Sequence, residues 1–185
     1  MGEFQASPPV VKPTKDAYSA MKGGYLFTCT HQTASTTLLA QTSFVATTPT
    51  FIIEQSAASR RVVGLEYWLN QEGTAVAGGP VFIRVMIDSV ARRASGGTTV
   101  TPQNANMESA ITSGATVYFN PTASAATATQ RVIWAHTAPA SLGTMSNLDL
   151  EDGLGIGVTG SILIYVWAAT TAPTLSFAFR WKEEA

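Results

Sequence analysis

The sequence predicts an all-β fold, an antiparallel β-sandwich, and three observations point there. Short segments rich in Val, Ile, Thr and aromatic residues recur along the 185 residues, separated by small polar turns with Gly, Pro and Asn. No window carries a capped apolar stripe of 3.6-residue period, so helix is limited to a turn or two. No self-similar period appears, which argues against a propeller or a solenoid.

Residues 1–24 read as an extended N-terminal arm and residues 25–185 as the sandwich domain. In the arm Pro8, Pro9, Pro13, Gly23 and Gly24 surround scattered Lys and Asp with no period of either kind. Strands are expected at 25–30, 37–46, 50–55, 61–71, 81–90, 115–120, 130–136, 146–150, 154–158, 161–170 and 174–182. In 174–182, Leu175, Phe177, Phe179 and Trp181 share one face and Ser176, Ala178, Arg180 and Lys182 the other, the pattern of a half-buried strand. The 161–170 segment is apolar on both faces, with Ile162, Ile164 and Val166 opposite Leu163, Tyr165 and Trp167. Val81, Ile83, Val85 and Ile87 likewise oppose Phe82 and Met86, interrupted by Arg84. Doubly buried strands are expected under helices. With no helices to cover them, the expected cover is another subunit, and the protein is expected to be a homo-oligomer.

Charged residues are only 12% of the chain, against about 25% in an average soluble domain. The surface must therefore expose many hydroxyls or hide against partners. A net charge of −1 gives no footprint for nucleic acid and no basic run marks an anionic membrane. The apolar run 162–169 is far short of the ~20 residues of a spanning helix, and the N-terminus has no signal-peptide core. The single Cys29 precludes an intramolecular disulfide and reads as a small buried hydrophobe.

Gly155-Ile156-Gly157-Val158-Thr159-Gly160 fits the letters of a dinucleotide-binding pattern. That pattern needs a following helix and an acidic residue about 20 positions on. A strongly β-forming segment follows, and no acid occurs until Glu183, so a turn between strands is expected. Asp149, Glu151 and Asp152 precede Gly153 without EF-hand spacing and read as a solvated turn, or as acids for a neighbour's arginine. Arg60, Arg61, Arg92 and Arg93 read as surface charges or as rim charges of an interface. His31 and His136 lack partners at metal spacing, and no nucleophile motif is present. Glu54, Glu66 and Asp88 lie on or near strands but do not stand out as a glycosidase pair. Trp68, Trp134, Trp167 and Trp181, with Tyr67, Tyr118 and Tyr165, could form a sugar-stacking platform, yet each sits inside an apolar strand and reads first as packing. No catalytic residue, metal or cofactor is assigned.

The stretch VGLEYWLNQEGTAVAGGPVFIRVMID at 63–88, SGGTTVTPQNAN at 95–106, and the LEDG turn leading to SILIYVWAATTAP at 161–173 resemble small β-rich virion proteins of tailed bacteriophages. The likeness is greatest to trimeric jelly-roll proteins that decorate or cement capsids. It implies a jelly-roll sandwich, a trimer bound to the major capsid protein on the outer capsid surface, and synthesis in the host cytoplasm. An apolar hairpin over 161–181 and the N-terminal arm would carry assembly. Phage fibre heads share the same look, so a receptor- or carbohydrate-binding head is the alternative reading, with a hydrolase third.

Overall fold

A computed structural model describes residues 17–31, 37–72, 78–150 and 154–184. Its elements are α1 (Ala17–Gly23), β1 (Leu26–Thr30), β2 (Leu38–Leu39), β3 (Phe51–Gln55), β4 (Arg61–Gln71), β5 (Val81–Asp88), β6 (Arg93–Val100), β7 (Gln103–Asn104), β8 (Ala115–Ala123), β9 (Arg131–Ala138), β10 (Gly143–Asp149), β11 (Gly155–Ile156), β12 (Ser161–Ala168) and β13 (Thr174–Glu184). Of the stretch read as an arm, residues 1–16 lie outside the described residues, and Ala17–Gly23 is a two-turn helix against β1 and β13.

Two antiparallel sheets form the sandwich. Sheet A runs β10-β4-β13-β1-β7 and sheet B runs β6-β8-β3-β12-β5-β9. Eight strands show the organising rule: β1 pairs with β13, β3 with β12, β4 with β10 and β5 with β9. First pairs with last, second with seventh, third with sixth and fourth with fifth. This is a hairpin rolled upon itself, a jelly roll. The β6–β8 pair is inserted between the two innermost strands of the roll and extends sheet B beyond β3.

The topology corrects the expected apolar hairpin. β12 lies in sheet B between β3 and β5, and β13 in sheet A between β4 and β1. The residues joining them cross from one sheet to the other. The expected strand at 37–46 contracts to Leu38–Leu39. β6 was not anticipated, because its sequence RASGGTTV has no apolar alternation and only Val100 is buried.

The core lies between the sheets. β13 contributes Leu175, Phe177, Phe179 and Trp181, all buried on the anticipated face. β12 contributes Ile162, Ile164, Val166 and Ala168, and β5 Val81, Ile83 and Val85. Phe51 packs edge-on against Phe177 and Phe179, at centroid distances of 4.8 and 4.9 Å. On β4 the inward set passes from Val62 to Leu65, Tyr67 and Leu69, a change of parity that needs one extra residue. Gly64, at φ +69°, takes that left-handed position, and the register with β13 slips there between Arg180 and Lys182.

The other apolar face of β12 is covered by the chain itself. Residues 41–49 leave β12 and fold over the outside of sheet B. Gln41 N–H donates to Val166 O at 3.1 Å, and Ala168 N–H donates back to Gln41 O at 3.1 Å. Beneath this strap Ile52, Met86, Ala123, Leu163 and Tyr165 form a second buried cluster, with Phe44 and Trp167 packed on it. The Phe44 ring stands 5.0 Å from Tyr165 and 5.4 Å from Trp167. The Tyr165 hydroxyl donates to Ala46 O at 2.8 Å. Burying each such large apolar side chain contributes about 1.5–3 kcal/mol. The two-faced strand, offered above as a reason for a second subunit, is thus accounted for within one chain.

Candidate functional site

Arg92 was read as a surface or rim charge, and the structure overturns that. Its side chain is fully buried, and it is the hub of a polar cluster under the end of sheet B. Nη1 donates to Asp88 Oδ2 at 2.8 Å, Nη2 to Ser124 O at 2.6 Å and Nε to Ser124 Oγ at 3.3 Å. Asp88 also accepts from the hydroxyls of Thr127 at 2.8 Å and Thr129 at 2.6 Å. Burial pushes the Asp88 carboxyl up, but the bonds from Thr129, Arg92 and Thr127 outweigh it and hold it below its ordinary value. Glu54 joins from β3, accepting from Arg92 N–H at 2.6 Å, Arg93 N–H at 2.5 Å and Ser161 Oγ at 3.3 Å. Two of the three candidate carboxylates therefore meet at one arginine. Every oxygen described is engaged in holding β3, β5, β12 and the loop at 124–129 together, as buried charges require.

Other acids clamp in the same way. Glu183 accepts from Gly114 N–H at 2.9 Å, Ser113 Oγ at 2.5 Å and Trp181 Nε1 at 3.3 Å, with Arg60 Nη1 at 3.4 Å. Glu66 receives Arg180 Nη2 on both oxygens. In register, Asp149 stands opposite Glu66, which stands opposite Arg180. Asp149 thus lies in a charge row of its own molecule, while Glu151 and Asp152 lie outside the described residues. Among the described residues no group of three or more His, Cys, Asp or Glu is placed to hold a metal ion.

Gly155–Gly160 is not followed by a helix. Gly155–Ile156 pairs with β4, Gly160 N–H closes a turn onto Gly157 O at 3.0 Å, and β12 begins at once. A Cβ on Gly160 would meet Ile156 Cβ at 2.9 Å, so close approach explains that glycine. Cys29 is buried and its thiol is pushed up to about 12 by burial. The His31 ring lies 6.1 Å from Phe119, and His136 stacks on Trp134 at 5.3 Å.

The tryptophans are dispersed and do not form one platform. Trp181 is buried in the core, and Trp134 packs edge-on against Tyr67 at 5.8 Å. Tyr118 carries Arg93 over its ring at 4.2 Å. Two of the tryptophans reach an outer face. Trp68 stands on sheet A at 38% exposure, in register with Asn147 and Ala178 and with the Arg180 guanidinium 5.6 Å from its ring. Around it on the same face are Thr28, Thr30, Asn70 and Ser176, with the Glu66–Arg180 ion pair beside them. On sheet B, Trp167 stacks on Phe82 at 5.4 Å and 21° beside the strap. These two outer faces are the candidate contact surfaces. The sequence offered Trp68 and Trp167 only as members of a longer set, and it gave no sign that Phe44 would fold over β12.

No helix among the described residues is long and apolar enough to cross a membrane. No protein-family model and no curated protein matches the chain.

Proposed function

We propose that the chain is a structural virion protein that binds the major capsid protein and stabilises a phage capsid as an outer decoration or cement protein. The observation that carries this reading is the complete jelly-roll pairing in a chain with only 12% charged residues. The fold serves viral capsid and lectin domains alike, and fold alone does not choose between them. The outer face of sheet A, where small polar side chains surround Trp68 and its charges are paired as Glu66 with Arg180, favours the first. Such a face forms modest contacts repeated over a lattice, where avidity supplies the strength. A trimer remains part of the proposal, resting on the low charge and on exposed Leu39, Val132 and Leu142 and no longer on β12. Light scattering tests it: three times 19.5 kDa supports the trimer, and a monomer both free and on particles refutes it.

A second reading, a glycan- or receptor-binding fibre head, is favoured by one observation, the exposed Trp68 with Asn70 and Asn147 as neighbours on the same sheet face. Immunogold labelling of purified virions with antibody to the recombinant chain separates the two. Label spread evenly over the capsid supports the cement role, label confined to fibre tips supports the second, and unlabelled particles refute both.

A further inference from the structure

The arginines that bridge strands and loops here are matched to carboxylates: Arg92 to Asp88, Arg180 to Glu66 and Arg60 to Glu183. Arg84, like Arg93 over Tyr118, is set against aromatic rings instead. It projects half-buried from the middle of β5, in register between Tyr165 and Ala135 on the outer face of sheet B. Among the described residues its guanidinium has no hydrogen-bond acceptor or acid. It rests on two rings, 5.0 Å from the Phe44 centroid and 5.8 Å from that of Trp167.

Arg84 lines an open pocket of about 300 Å³, together with His136 and Trp167. One wall is the stacked pair Phe82 and Trp167, and the opposite rim is Ala135 and Thr137 of the edge strand β9. Among the described residues no acidic side chain lines the pocket. The volume sits at the small end of ligand pockets and suits one side chain. We propose that this pocket is a docking site for an acidic side chain of a partner protein, a Glu or Asp flanked by an apolar residue.

Charge complementarity selects the carboxylate. Arg presents N–H groups in a rigid fork that matches a carboxylate bidentately. Holding that fork on two rings removes much of the ordering cost that a free surface arginine meets on binding. The rings supply an apolar wall for the flanking residue, and Trp with Arg is the composition of interface hot spots. The inference stands on the pocket alone and does not depend on the virion reading.

The test uses the whole chain and two capped dipeptides, N-acetyl-Leu-Glu-amide and N-acetyl-Leu-Gln-amide, with inorganic phosphate as a third probe. NMR follows the Arg84 Nε–H and Trp167 Nε1–H signals. The glutamyl peptide should give saturable shifts, with the glutaminyl peptide and phosphate each weaker by about tenfold or more, the size expected from charge-assisted hydrogen bonds. Arg84→Gln should abolish the response at unchanged melting temperature, and Arg84→Lys should keep a weakened one. Equal response to the glutaminyl peptide would leave a merely apolar groove and overturn the proposal, as would equal response to phosphate or no saturable shift. Concentration-dependent self-association that Arg84→Gln removes, with no response to the peptides, would assign the pocket to a second copy and overturn the partner proposed.

Discussion

Replacing Arg92 with Met removes the hub beneath sheet B while keeping the length of its side chain. Three hydrogen bonds go: to Asp88 at 2.8 Å, to Ser124 O at 2.6 Å and to Ser124 Oγ at 3.3 Å. Bonds to charged groups contribute about 1.5–3 kcal/mol each, but three in one network do not add. Breaking a buried pair by removing one partner costs about 3–5 kcal/mol, because the other charge is left uncompensated. That range is expected for Arg92→Met at pH 7, measured as a shift of the urea midpoint at constant slope.

The pH dependence makes the argument specific. In the native protein Asp88 titrates below its ordinary 3.8. Its contribution is therefore present above that value and lost as pH falls through the folded one. Without Arg92, burial is opposed only by the Thr127 and Thr129 hydroxyls, so the folded carboxyl titrates higher and protonation relieves the misfit. The gap between the proteins should shrink as pH falls from 7 towards 3, leaving the lost Ser124 bonds and the packing. A gap below about 1 kcal/mol at pH 7, or one that does not change with pH, would refute the reasoning.

Other substitutions probe other layers. Ile164→Asp places a carboxylate in the inter-sheet core, where Ile164 is fully buried, and should leave no folded protein by circular dichroism, since an unpaired buried charge costs several kcal/mol. Tyr165→Phe removes the hydroxyl that donates to Ala46 O and should cost about 1 kcal/mol in denaturant, with faster hydrogen exchange in residues 41–49. Gly64→Ala forces a side chain into φ +69° and should cost about 1–2 kcal/mol, read as a lower melting temperature. Cys29, buried with its thiol raised to about 12, should resist Ellman's reagent at pH 8 in the folded protein and react at once in guanidinium.

How far the fold could be read in the sequence depended on whether a strand's environment is written into its own residues. Thr174–Glu184 carries strict alternation because one side meets the core and the other does not, and Arg61–Gln71 was bounded correctly at both ends. Arg93–Val100 carries no such record, being an edge strand exposed at every residue before Val100. The doubly apolar β12 was recognised and its cover misassigned, since what lies on a strand's outer face is a long-range fact. Phe44, more than 100 positions away, has no local signature. Sites were least legible for the same reason. Arg92 beside Arg93 reads as a charged surface, yet one is buried with Asp88 and the other lies over Tyr118. Arg84 was visible only as an interruption of an apolar face, and neither its lack of a carboxylate nor its two rings can be read locally.

The pairing of first strand with last sets an order of events during synthesis. β13 is the last of the eight strands to be translated, yet it lies inside sheet A, between β4 and β1. Until it has left the ribosome, β1 and β4 have no common neighbour, and Phe51 lacks the two rings it packs against. Domains that close from their N-terminal part can fold as they emerge, but this one must keep its apolar strands unsatisfied until residue 184 is available. The closing step then joins residues more than 150 positions apart, such as Leu26 and Lys182, and non-local pairing of that kind is slow. Nascent chains stalled before residue 174 should therefore remain protease-sensitive, and those released beyond 184 should become resistant.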